Sequence, residues 1–131
     1  DMVIATEMLE GLRGLALLGA RGTLVCASTR IAPASGARGD EGKAYPDEEA
    51  LRAAARGVRL VLVEAEALAR EAGDLRAANV VLLGAASLVL PISPASWERG
   101  LIAAIPAKVI DVDRRAFALG RDAGAGQEAV P

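Results

Sequence analysis

Three short apolar runs, each followed by residues at helical spacing, constrain this chain most. They are MVIAT at residues 2–6, TLVCAS at 23–28 and VRLVLV at 58–63. Each run is continuously apolar, as strands covered on both faces require. After the first, Met8, Leu9, Leu12, Leu15 and Ala16 share one helical face, and Gly19 and Gly22 follow as a stop. Asp47 is placed to cap a second helix, with Glu48 and Glu49 in its first turn and Leu51, Ala54 and Ala55 on its buried face. Gly57 ends it. The third run leads into EAEALAREAG, closed by Gly73. Strand then helix, three times over, predicts an α/β fold: three layers, α/β/α, with a mainly parallel sheet.

The most apolar stretch is NVVLLGAASLVLPIS, residues 79–93. It is too short for a bilayer, which takes about 20 apolar residues. It also has too few glycines for a phosphate loop. Its length, its alanines and the preceding LRAAN favour a buried helix from about Leu75 to Leu90, apolar on most faces. Gly84 within it reads as a point of close approach by a neighbouring element.

Ser93 as cap and Pro94 at the first helical position begin another helix, with Trp97, Leu101 and Ile105 on one face. Pro106 opens a last helical pattern carrying Val109, Val112, Ala116 and Leu119, with Gly120 as its stop. The expected domain therefore spans 1–120, followed by a disordered tail at 121–131. Residues 32–46, rich in Gly, Ala, Pro and charge, read as a mobile loop. The chain opens on Asp1 in what reads as mid-strand, without an initiator methionine, so the domain is expected to be truncated at its N-terminus.

Composition removes several function classes. Net charge is −2 and the isoelectric point about 5.2, with no long basic run to neutralise phosphates, so neither nucleic acid nor an anionic membrane is an expected partner. Aromatics are 2%, too few for a base-stacking surface. There is no histidine, hence no imidazole base or ligand. Cys26, the one cysteine, lies inside an apolar run and reads as a small buried side chain; alone it cannot hold a zinc or iron–sulfur centre. A reducing, cytoplasmic setting is the expectation.

Six segments, in order, carry a family resemblance. DMVIATEMLEGLR resembles an aD-apolar-apolar-E-x-x-E-x-L-R segment. RGTLVCASTRIAP resembles a GG-T-strand-N-x-x-x-I-x-P segment, and AYPDEEAL a YPS-x-E-E-I loop. VLVEAEALAREAGDLRAANVV resembles V-D-A-x-x-L-A-x-x-x-G-N-x-x-A-x-N, and Asn79 with VVLLGAA the N-apolar-LG-A signature. AKVIDVDRRAFALG resembles a closing K-x-x-x-x-N-x-x-A-F-x-x-G helix. These belong to the gamma-type domain of 2-oxoacid:ferredoxin oxidoreductases, and the match is nearest the beta subunit of the indolepyruvate enzymes. It covers Asp1 to about Gly120. The resemblance implies a non-catalytic domain of a complex that uses thiamine diphosphate, iron–sulfur clusters and coenzyme A. Those groups are expected in partner subunits. The domain would dock on a large thiamine-dependent catalytic subunit, complete its cleft, and meet ferredoxin only indirectly.

Two features depart from the family. The glycine-rich G-x-G-G-Q-G turn is absent, and Asp113 stands where the closing asparagine is expected, with a helix-capping role that Asp also fills. The alternative function is a free-standing nucleotide- or small-ligand-binding α/β module. A homodimer of the chain, inactive alone, is a third.

Four residues are candidates for a ligand or subunit contact. Glu7 follows a strand's C-terminal end, where open parallel sheets place ligands; it also fits a first-turn helix acid. Thr29 and Arg30 follow the next strand's end. Arg30 can grip a phosphate or carboxylate, or be an ordinary surface arginine. Asn79 either faces a ligand or partner, or is a buried asparagine tying a helix start to a loop. Asp111, Asp113, Arg114 and Arg115 read as a solvated helix face, and Trp97 as a core or interface anchor.

Overall fold

The computed structural model describes residues 1–31 and 45–127. The three apolar runs form strands β1 (Met2–Ala5), β2 (Thr23–Ala27) and β3 (Arg59–Val63), paired in parallel in the order β1-β2-β3. The register sets Ala5 beside Cys26 and Leu60 beside Leu24, and it stacks Ile4, Val25 and Val61 on the opposite face. Alternation along the strands then sorts the core into two layers.

One layer holds Leu24, Cys26, Leu60 and Leu62 under helices α1 (Met8–Gly14) and α2 (Glu48–Ala54), which add Met8 and Leu51. The other holds Val25, Ala27, Val61 and Val63 under α3 (Ala65–Ala72), α4 (Ala78–Ala86) and α6 (Ile110–Ala125). The fold is thus α/β with a parallel sheet flanked by helices. Its fully buried leucines and valines each contribute about 1.5–3 kcal/mol.

Local chemistry sets the helix ends. Asp47 caps α2 by accepting from Ala50 N at 2.8 Å, and Ser93 caps α5 (Pro94–Ala104) with Pro94 in the first turn. Gly73 takes φ +120°, a value open to glycine, and its N–H closes α3 on the Ala69 and Arg70 carbonyls. The predicted helix over 75–90 divides: a 3-10 turn at Leu75–Ala77 leads into α4, which ends at Ala86 with Ser87 as its cap, and hydrogen-bonded turns continue to Leu90. Trp97 packs its ring 5.4 Å from that of Phe117 and fastens α5 to α6.

Three expectations are corrected. Gly120 does not end the last helix. It is buried within α6, because a side chain there would strike the Val81 carbonyl of α4. The chain from Arg121 to Ala125 is helical, and Gln127 is held by β3, so the predicted tail does not begin at 121. Residues 128–131 lie outside the described residues, as do residues 32–44 of the predicted loop at 32–46. Asp113 caps nothing: Val109 occupies the cap position of α6, and Asp113 is a first-turn residue whose N–H meets the Val109 carbonyl.

Gly84 fulfils the reading of a close-approach glycine. A methyl group there would collide with the Phe117 carbonyl, so α4 and α6 touch backbone to backbone. No helix among the described residues is long and apolar enough to cross a membrane.

Candidate functional site

The carboxyl ends of β1 and β2 bring three of the four candidates together. Glu7, in extended geometry after β1, is buried with 7% of its surface exposed. Its Oε1 accepts from Glu10 N at 2.6 Å and its Oε2 from Leu9 N at 2.9 Å, which makes it the cap of α1. The Tyr45 hydroxyl donates to the same Oε2 and accepts from Ile31 N at 3.2 Å. The Thr29 carbonyl accepts from Met8 N at 3.1 Å, and the Arg30 guanidinium lies 5.4 Å from the Tyr45 ring centroid.

Most of the acceptor capacity of Glu7 is therefore spent inside the fold, where it ties α1, the β2 exit and Tyr45 into one knot. Glu7 is not the first-turn acid of α1, which is Glu10, but the cap residue just ahead of that turn, and it acts through its side chain. Sequence reasoning passed over Tyr45. The available signal was its place in the YP segment just ahead of a capped helix.

An open crevice lies beside this knot, at the carboxyl ends of β2 and β3. Two adjoining hollows of about 350 and 260 Å³ share Ser28 and Glu64. The first is flanked by Glu48 and Arg52 of α2 and by Gln127. The second is flanked by Thr29 and by Glu66 and Arg70 of α3. Arg52 and Glu48 pair at 3.9 Å, Arg70 and Glu66 at 3.7 Å, both exposed and therefore weak. The Gln127 side chain reads the β3 edge as a strand would: Leu62 N donates to its Oε1 at 2.8 Å and its Nε2 donates to the Leu62 carbonyl at 2.6 Å.

This crevice can hold a polar ligand or a partner's side chains by hydrogen bonds and paired charge. Thr29 is the one predicted residue that lines it. Glu64, Ser28 and Gln127 were not singled out from sequence. The position of Ser28 and Glu64, each just past a strand's end, was the signal available.

Asn79 stands apart. It is exposed at the start of α4, on the helix layer opposite α1 and α2, and its side chain makes no hydrogen bond among the described residues. The reading of a buried asparagine tying down a loop is thereby corrected. The true anchors there are Asp74, which caps the 3-10 turn by accepting from Arg76 N at 2.9 Å, and Arg115, whose Nε donates to the Ala72 carbonyl at 3.0 Å.

Cys26 is fully buried, and desolvation with the nearby negative Glu7 pushes its thiol up to about 12. A thiolate is the form that binds iron or attacks a substrate, so this residue suits neither task. Among the described residues, no group of three or more His, Cys, Asp or Glu side chains is placed to hold a metal ion. The residues present do not fit an iron–sulfur cluster.

A family model described as pyruvate ferredoxin/flavodoxin oxidoreductase matches residues 1–123. The indolepyruvate oxidoreductase subunit IorB of Thermococcus kodakarensis is 32% identical over 129 residues, covering 92% of this chain. The chain spans 61% of that relative's length.

Proposed function

Because the chain belongs to the pyruvate ferredoxin/flavodoxin oxidoreductase family, a gamma-type domain by its motifs, we propose that it serves as a docking part of an indolepyruvate-type 2-oxoacid:ferredoxin oxidoreductase. In this reading it acts in the cytoplasm and carries no chemistry of its own. It docks on a thiamine-dependent catalytic subunit and completes the cleft in which that subunit works. Thiamine diphosphate, the iron–sulfur clusters and coenzyme A would be held by the partner or at its boundary. The observation that carries the reading is a family match along nearly the whole chain, joined to a site of ordinary polar residues. Neither a reactive thiol nor an imidazole is at hand.

Two surfaces are offered to the partner in this proposal. The carboxyl-end crevice, with Thr29, Ser28 and Glu64, is the part that would face the cleft. The outward side of α4 carries exposed Asn79 and, one turn on, half-exposed Leu83, and it is offered as the docking stripe. The test is reconstitution of the protein with the catalytic subunit of an indolepyruvate enzyme. A stable complex is expected, along with oxoacid-dependent reduction of ferredoxin that falls when the chain is left out. An Asn79→Arg, Leu83→Arg double variant is expected to weaken the complex while leaving the isolated fold intact. Absence of any complex or any effect on oxoacid oxidation would sink the proposal.

A further inference from the structure

Helix α5 is held unlike the other five. Its one buried residue is Leu101, and neither Leu101 nor Phe117 joins the two layers packed on the sheet. The helix rests on α6 through the Trp97 and Phe117 rings and through Glu98, which accepts from Arg114 Nε at 2.8 Å. That ion pair is about half exposed and holds weakly. Ile102, on the outward side, is 53% exposed. The connections at either end carry Pro91 and Pro106, which have no N–H to tie them to a neighbour.

Two further features weaken this seat. Trp97 Nε1 is buried and meets no acceptor among the described residues, so it gains a hydrogen bond to water when the ring leaves. Gly100 lies in the interior of α5 without positive φ, and a methyl group there would meet no atom within 4 Å. Backbone contact requires Gly84 and Gly120, but nothing around Gly100 requires glycine. A glycine in mid-helix weakens the helix relative to alanine.

We propose that α5 is a detachable arm: it leaves α6 as a unit while the sheet and the other helices stay folded. An isolated helix of 11 residues is marginal in water, so the arm melts once it detaches. Closed, it hides Phe117, Leu101 and the indole of Trp97. Open, it bares them to solvent, with the indole N–H free to donate. Opening exposes little surface and breaks no contact within either core layer, so it is a local event distinct from global unfolding.

The test is hydrogen exchange of the 131-residue protein, read at single amides and at the indole N–H of Trp97, the chain's one tryptophan. The Trp97–Ile105 amides and the indole are expected to exchange at one common opening rate, about tenfold or more faster than the buried amides of α4 and α6. Urea below the global transition should speed α4 and α6 and leave α5 nearly unchanged, because sensitivity to urea follows the surface exposed. Leu24→Ala should likewise speed α4 and α6 and not α5. Gly100→Ala should slow α5 about fivefold. The proposal is overturned if α5 exchanges as slowly as α4 and α6, or if urea and Leu24→Ala speed it in step with them, since α5 then opens only with the whole fold. It is also overturned if Gly100→Ala leaves the α5 rate unchanged.

Discussion

The two faces of the sheet are held by different means. Under α1 and α2 the contact is side chain into side chain: Leu24, Leu51, Leu60 and Met8 interlock, and both helices are fixed at their starts by carboxylates, Glu7 and Asp47. Under α3, α4 and α6 the buried residues are mostly alanine and valine, and these three helices have no side-chain cap. There the adhesion comes from proximity, since Gly84 and Gly120 let α4 and α6 meet at backbone distance. Close approach multiplies weak dispersion contacts but leaves no room to relax. One face should fail when atoms are added, the other when atoms are removed.

The largest effect is expected where addition meets backbone. Gly120→Val places two methyl groups and a Cβ into the Val81 carbonyl of α4, which no rotamer can avoid. Overpacking a core costs about 1–3 kcal/mol when side chains can adjust; here the helices must separate, and a loss above about 3 kcal/mol is expected. Denaturant titration should show no cooperative folded state, or one with a much lower midpoint. Wild-type stability in this variant would mean that the two helices do not truly touch.

The opposite change tests the opposite face. Leu24→Ala removes a fully buried side chain between Leu60 and the α1 layer, and deletions of this sort cost about 2–5 kcal/mol. We expect about 3 kcal/mol by the same titration, with an unchanged denaturant slope. Glu7→Ala comes next. It leaves Leu9 and Glu10 N–H groups and the Tyr45 hydroxyl without their acceptor, a capping loss of about 1–2 kcal/mol. Amide exchange should rise first in α1, while α4 and α6 keep their protection.

The same contrast explains what was legible in the sequence. The strands were visible because two-sided burial forces continuous apolar runs, and TLVCAS and VRLVLV read the same in any register. Capped helices were visible too, because Asp47 and Ser93 announce themselves. Gly120 misled because glycine has two meanings, helix stop and close contact. Only the partner at Val81, some forty residues away, distinguishes them. One of the two readings of Asn79 was a buried asparagine tying a helix start to a loop, yet α4 packs against α6 and the sheet through Val81, Leu82, Ala85 and Ala86 and leaves Asn79 on the remaining side. The Glu7 and Tyr45 knot depends on residues 38 apart, beyond any local pattern. Family motifs located the segments, but they could not say which polar groups face inward.

The smallest effect concerns Asp113, expected to stand where the family resemblance places an asparagine. Asp113 sits in the cleft between Asp74, Lys108 and the start of α6, on the face without side-chain caps. Partial burial, then the negative Asp74, hold its carboxyl above the ordinary carboxylate range. An acid whose folded-state pKa is raised binds its proton more tightly when folded. Its contribution is therefore favourable at low pH and is lost as pH climbs from the unfolded value through the raised one. Asp113→Asn removes that dependence. Relative to the wild type, the variant should gain stability as pH rises from below the carboxylate range to neutrality. Solvent screening keeps the gain to a Tm difference of about one or two degrees. Calorimetry at pH 3 and pH 7 checks it, and a difference that shrinks or stays flat as pH rises would show that folding does not raise the Asp113 carboxyl.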